Sequence, residues 1–203
     1  MQVEFFFDCS SPWTYLAFRQ IQPVVERYAA TLGFRPILVG GVFNAINPSV
    51  YENRANPVVP KMRYYQKDLR DWADFVGIEI GSPEVFPVNS VKAMRGCFLA
   101  EEAGCLPDFA EAVFAAYWTD LRDISQDEVL APIVEAVGMD RDAFFAGIAS
   151  DAIKAKLREN TEELIERGGF GSPTFFLDGE DMFFGNDRIP LLERKLQQTR
   201  VMD

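Results

Sequence analysis

Phe5-Phe6-Phe7-Asp8-Cys9-Ser10-Ser11-Pro12-Trp13-Thr14-Tyr15-Leu16 decides how the chain begins. Three successive aromatics favour a strand covered on both faces. Asp8, Ser10 and Ser11 are turn and cap residues. Pro12 suits the first helical position, where its missing N–H is no loss. The stretch therefore reads as a strand over 2–7, a tight turn, and a helix with Ser11 as N-cap. A hydroxyl there stands beside unpaired backbone N–H groups and the positive end of the helix dipole, a place that stabilises an anion. The same Ser-Pro pair also serves as an ordinary cap.

Working outward, Leu16, Ile21, Val24, Val25, Tyr28 and Leu32 recur at helical spacing and predict a helix over 12–32, kinked or split at Pro23 and closed by Gly33. Residues 34–39 read as a second strand ended by Gly40-Gly41. A β-α-β crossover of this kind implies parallel strands. Residues 43–60, rich in Asn and Pro, read as a loop longer than ordinary connections, and such loops tend to be functional or disordered. Helices are expected at 61–76, 87–104 (or from a cap at Asn89-Ser90), 107–119, 126–138, 140–149 and 150–167. Ser125 with Glu128 forms a capping-box pattern, Asp140 an N-cap, and Gly168-Gly169 a stop. A strand over 174–177, the hairpin turn Asp178-Gly179, a partner strand over 182–184, a turn at 185–187 and a helix over 188–199 complete the chain.

The order β-α-β, a long helical run, then β-β-α predicts an α/β fold: a thioredoxin-like sheet domain with an inserted all-helical domain. The expected division is 1–44 plus 151–203 for the thioredoxin-like domain and 45–150 for the helical insertion. This arrangement gathers the turn after the first strand, the loop at 44–60 and the segment before Pro173 around one cleft.

Composition narrows the function. Of 203 residues, 48% are hydrophobic, enough for a sizeable core. The net charge of −11 repels phosphate backbones, so nucleic-acid binding is not expected. Histidine is absent, which leaves acid–base steps to carboxylates, Lys, Tyr or the substrate itself. Cys9, Cys97 and Cys105 show neither a C-x-x-C pair nor a zinc spacing. Cys97 and Cys105 read as small buried hydrophobes. No signal peptide or membrane span is legible, and a reducing, cytoplasmic setting is expected.

Ser11-Pro12-Trp13-Thr14 occupies the frame of a C-P-x-C redox motif, with hydroxyls where the sulfurs would be. That excludes a dithiol oxidoreductase unless Cys9 serves, and Cys9 has no partner in frame. A hydroxyl at a thiol-binding helix start suggests that the thiol belongs to a ligand. Gly171-Ser172-Pro173-Thr174 stands where thioredoxin-like folds carry a cis-proline facing that helix, with the backbone of Ser172 open to a peptide-like ligand. Together with Phe7-Asp8-x-x-Ser11-Pro12, the other motifs are Asn53 with Pro60-Lys61, Lys67-Asp68-Leu69, Gly168-Gly169-Phe170-Gly171-Ser172-Pro173-Thr174 and Phe184-Gly185-Asn186-Asp187-Arg188. In this order the sequence resembles, over nearly its whole length, the kappa-class glutathione transferases and bacterial 2-hydroxychromene-2-carboxylate isomerases.

The resemblance implies a glutathione-dependent enzyme. Ser11 would hold the glutathione sulfur as a thiolate, and Ser172 before Pro173 would bond its cysteinyl part. Asn186 and Asp187 would take the γ-glutamyl end, and Asn53 and Lys61 would contact the tripeptide. The implied reaction is cis–trans isomerisation of 2-hydroxychromene-2-carboxylate or a related unsaturated 2-oxo acid from aromatic degradation. A homodimer is also implied, and no membrane partner. The alternatives are a kappa-like transferase or peroxidase, a non-catalytic thioredoxin-like binding protein, or a single-cysteine redox protein using Cys9. The text Asn53-Arg54-Ala55-Asn56-Pro57 departs from the family's Asn-x-Pro-Pro and leaves either Asn53 or Asn56 as the ligand. Asn186 stands where the family commonly has Ser or Gln. Lys61 also suits a solvated charge, Asn53 a turn, and Asp187-Arg188 a helix cap. Tyr64, Tyr65 and Trp72 read as packing in the insertion with one edge toward the cleft, and Trp13 as a residue of its mouth.

Overall fold

Three aromatics in a row fit a strand only if both its faces are covered, and β1 (Gln2–Phe7) is so placed. The computed structural model describes residues 1–200. β1 lies second in a four-stranded sheet of order β2-β1-β3-β4. It runs parallel to β2 (Thr31–Pro36) and antiparallel to β3 (Thr174–Leu177), which is antiparallel to β4 (Asp181–Phe184). Val3, Phe5 and Phe7 belong to the large core, whereas Phe6 packs on the other face with Ile37, Val42, Leu164 and Phe176. Phe5 stacks on its cross-strand partner Phe175 with centroids 4.7 Å apart.

Helix α1 (Pro12–Arg27) returns the chain from β1 to β2 and buries Tyr15, Phe18 and Ile21. Pro23 does not split it. It ends five residues earlier than the apolar spacing predicts, because Ala29 takes a left-handed φ of 52° and the N–H of Ala30 turns back to the Val25 carbonyl. β2 therefore starts at Thr31, and Gly33 sits within it opposite Glu4 rather than closing a helix.

The expected strand over 34–39 is corrected in the same way. Leu38 is the N-cap of α2 (Val39–Ile46), and Gly40-Gly41 lie inside that helix. No local side chain caps α2. Its first N–H groups are taken from afar: Val39 N–H donates to Asp8 Oδ2 (2.9 Å) and Leu38 N–H to Thr161 Oγ1 (3.0 Å). The expected loop over 43–60 is replaced by the end of α2, by α3 (Ser49–Ala55) and by the start of α4 (Val59–Val76). Its prolines and asparagines punctuate helices: Pro48 and Asn56 flank α3, and Pro60 lies in the first turn of α4, where a missing N–H costs nothing.

Helix α5 (Val91–Glu102) starts after Asn89-Ser90 and not at 87; Asn89 Oδ1 accepts from Val91 N–H, and Pro87 follows a cis bond. α6 (Leu106–Trp118), α7 (Asp127–Ala136), α8 (Arg141–Ile148) and α9 (Asp151–Glu166) follow near their expected places. Asp140 caps α8. The Ser125–Glu128 box does not form, because Asp123 captures the Ser125 N–H and the cap falls to Gln126. Asp178 and Gly179 both take positive φ and turn the β3–β4 hairpin. A 3-10 turn at Asn186–Arg188 leads into α10 (Ile189–Arg200). One apolar cluster runs from the α1-covered face of the sheet through α5, α6, α7 and α8.

Removing Phe175 opens a cavity between β1 and the helices. Phe175→Ala should cost about 3–5 kcal/mol, read as a lower denaturant midpoint in chemical unfolding. Asp8 generates a second prediction. Its carboxyl is fully enclosed, and burial raises its pKa against the lowering by Ser10, Val39 and Ser90. A folded pKa above the unfolded one gives stability that is complete below the unfolded value and is lost as pH rises through the folded value. The stability advantage of the wild type over Asp8→Asn should therefore shrink from acid toward neutral pH, measured by urea unfolding across that range. An advantage that grows with pH would refute the burial argument.

Candidate functional site

The register fixes where a ligand can sit. Phe7 lies opposite Pro36, Phe6 opposite Thr174, and Thr174 opposite Phe184. The segments beyond these residues thus leave the sheet at one edge. They line a cleft of about 970 Å³.

At its base Ser11 caps α1 in an extended conformation and accepts from the Thr14 N–H at 3.3 Å. Its hydroxyl also donates to the Ser172 carbonyl at 3.4 Å. Both bonds are long, so the hydroxyl can be redirected to a ligand. Ser172-Pro173 is cis, as the sequence reading expects. The carbonyls of this segment are engaged: Gly171 by Thr174 Oγ1, Ser172 by Ser11 and Pro173 by Gly185 N–H. Among the described residues the Ser172 N–H has no acceptor. It is a free backbone donor beside Ser11.

At one flank Gly185 adopts φ 101°, and a Cβ there would come 2.6 Å from Asp187 Oδ1. Glycine thus lets the next carboxylate fold back. Asp187 pairs with Arg188 at 2.5 Å. Asn186 is buried, lines the cleft, and leaves its Nδ2 without a partner. An unsatisfied buried amide is costly and marks a place for an acceptor.

Ser11, Ser172, Pro173, Asn186 and Asp187 are therefore brought together. Asn53, Asn56 and Lys61 are exposed and lie outside the lining. Lys61 Nζ stands 5.5 Å from the Tyr65 ring. Tyr65, Trp72 and Trp13 line the cleft, and Tyr64 is exposed. The residue that the motifs miss is Arg54. Its guanidinium lies 5.8 Å from the Phe43 centroid and 5.2 Å from that of Phe86, and it lines the cleft. Reading 49–55 as a helix would have placed Arg54 one turn beyond Val50 and Tyr51, which share the lining.

Cys9 is fully buried, with its N–H toward Met94 Sδ and its carbonyl bonded by Trp118 Nε1–H at 2.9 Å. Burial pushes its thiol well above the usual range, and the neighbouring Cys97 and Asp8 push the same way. A nucleophilic cysteine needs the opposite setting. Cys97 is buried and Cys105 half-buried.

Residues 2–197 match the family model of a DSBA-like thioredoxin domain. Over 195 residues the chain is 34% identical to 2-hydroxychromene-2-carboxylate isomerase of Pseudomonas putida, covering 95% of this chain and 93% of the relative. It is 27% identical to glutathione S-transferase kappa 1 of Rattus norvegicus, covering 94% and 88%. A solved structure of a 2-hydroxychromene-2-carboxylate isomerase superposes with a TM-score of 0.87 at 31% identity, over 100% of both chains. With the Ser11 turn, the cis-Pro173 loop and the thioredoxin-like sheet in place, these likenesses assign the chain to the DsbA-like thioredoxin-domain family, as an enzyme of the group that holds the 2-hydroxychromene-2-carboxylate isomerases.

Proposed function

We propose that the protein is a glutathione-dependent isomerase acting on 2-hydroxychromene-2-carboxylate or a related unsaturated 2-oxo acid. The observation that carries this reading is the base of the cleft, where the Ser11 hydroxyl, the α1 N-terminus and the free Ser172 N–H converge. Bound glutathione would supply a thiolate that adds to the conjugated carbon; the hemiketal ring opens to the 2-oxo acid, the former double bond rotates as a single bond, and elimination returns the thiolate unconsumed. The chain's part is to hold that sulfur as an anion. Ser11 donates to it and the helix N-terminus favours its charge. Ser172 N–H takes the cysteinyl carbonyl. Asn186 Nδ2 donates to the γ-glutamyl carboxylate, and Asp187 pairs with its ammonium. Asn53 and Lys61, exposed and outside the lining, would meet the rest of the tripeptide.

The other half of the cleft is aromatic: Phe43, Tyr51, Tyr65, Trp72 and Phe86. It suits a flat, conjugated substrate. Arg54, set among these rings, has no carboxylate partner among the described residues and takes the substrate's carboxylate. In this reading the enzyme works in the cytoplasm on soluble partners and as a homodimer; among the described residues no helix is long and apolar enough to cross a membrane.

Calorimetric titration with glutathione, beside isomerisation assays, tests the reading. Ser11→Ala should keep the fold and lower turnover about 100-fold, the scale of one oxyanion-type donor; wild-type turnover in that variant would remove Ser11 from the mechanism. Isomerase activity absent beside conjugation of a chlorinated nitroaromatic would favour the transferase reading. Arg54→Gln should raise the KM of the carboxylate substrate about tenfold with kcat little changed, the scale of one bond to a charged group, while leaving glutathione affinity alone. Equal KM values would show that the carboxylate is held elsewhere.

A further inference from the structure

The Ser172 hydroxyl lies at a junction that the glutathione motifs do not use. Its oxygen accepts from Asp8 N–H at 3.1 Å and lies 2.8 Å from Thr14 Oγ1. Thr14 is fully buried and Ser172 is 9% exposed. The two hydroxyls carry two hydrogens. One lies in the bond between them, whichever oxygen donates. Among the described residues the other has no acceptor. A buried donor left without an acceptor is costly, so its place is meaningful.

Burial decides which hydrogen is spare. Thr14 is sealed from the cleft, whereas Ser172 lines it. With Thr14 donating to Ser172 Oγ, the Ser172 oxygen accepts twice, and its own O–H is left to turn into the cleft. The Ser172 carbonyl is 3.4 Å from Ser11 Oγ, so an atom held by Ser11 comes to lie beside Ser172. The charges around the site do little for an anion. Asp8, Asp68 and Asp187 oppose it, Arg188 is paired with Asp187, and Arg54 stands over the aromatic wall. Neutral donors are what this turn offers a thiolate.

We propose that Ser172 donates its hydroxyl hydrogen to the sulfur of the bound thiol, and that Thr14 is the positioning residue that aims it. Two hydroxyls, from Ser11 and Ser172, then share the sulfur. This rests on the glutathione site proposed above, and names a second donor within it. No bond is made or broken by the pair; it shifts the thiol–thiolate balance.

The test is the pKa of glutathione's thiol in the complex, followed by the ultraviolet absorbance of the thiolate during a pH titration. Ser172→Ala should raise that pKa by about one unit and weaken glutathione binding about tenfold where the thiol is ionised, the scale of one bond to a charged group. Thr14→Val, equal in shape, should move the pKa in the same direction, and Thr14→Ser should restore the wild-type value. S-methylglutathione has no ionisable thiol and should bind wild type and Ser172→Ala alike. An unchanged thiol pKa in Ser172→Ala and Thr14→Val overturns the proposal. So does an equal loss of affinity for S-methylglutathione, which would show that the pair only shapes the loop. If one variant does not fold, the other decides by the same readout. A wild type that binds no glutathione overturns the functional reading and this proposal together. A wild type that lowers the thiol pKa, beside variants that do the same, overturns this proposal alone.

Discussion

Burial of β1 on both faces is the constraint from which the site follows. A strand with Phe5 and Phe7 on one side and Phe6 on the other must have helices above and below. The chain can therefore leave β1 only at its end, into a turn pressed between layers. Ligands of open α/β sheets sit at such carboxyl ends. The antiparallel partners β3 and β4 deliver Ser172-Pro173 and Gly185-Asn186 to the same edge. The base of the cleft is thus a consequence of register, and Ser11, Ser172 and Asn186 emerge from the sheet there.

Cys9 and Ser11 show how finely that edge divides environments. They stand two residues apart on one turn. Cys9 points into the core beside Cys97, where burial suppresses ionisation, while Ser11 caps α1 at the open side. The turn keeps its own sulfur inert and presents a hydroxyl where a foreign sulfur would dock. A hydroxyl with a pKa far from neutrality stays a donor under all physiological conditions, which is what holding a thiolate requires.

Legibility in the sequence tracks how local each determinant is. The first strand, the turn after it and the start of the helix at Pro12, the segment before Pro173 and the Asp178-Gly179 turn depend on neighbours in sequence, and all are readable there. The region 28–60 is not. Helix α1 stops because Ala29 takes a left-handed φ, which apolar spacing cannot register. Helix α2 starts on acceptors from Asp8 and Thr161, 31 and 123 residues away. With its caps supplied by tertiary structure, its Gly40-Gly41 looked like a terminator. The site residues divide likewise. Ser11, Ser172, Asn186 and Asp187 sit on local turns, and the motifs that point to them are met by a shared place in the cleft lining. Arg54 sits on a helix read as loop, and only the fold shows it among Phe43 and Phe86.

Why a carboxylate should be buried at Asp8 follows from the same geometry. Enclosing it raises its pKa, an unfavourable environment for the charge. Yet two backbone donors converge on it from different elements: Ser10 N–H of the Ser11 turn and Val39 N–H at the start of α2. An amide side chain offers one acceptor oxygen and turns donors toward the other N–H, so it cannot satisfy both. A carboxylate can, and it also favours the positive end of α2. One side chain thereby holds the polar base of the cleft in register with the helix that carries Phe43, the aromatic wall's contact to Arg54. The Ser11 base and the aromatic half of the cleft are set by a single anchor, and the cost of burying its charge is offset by the two walls that it joins.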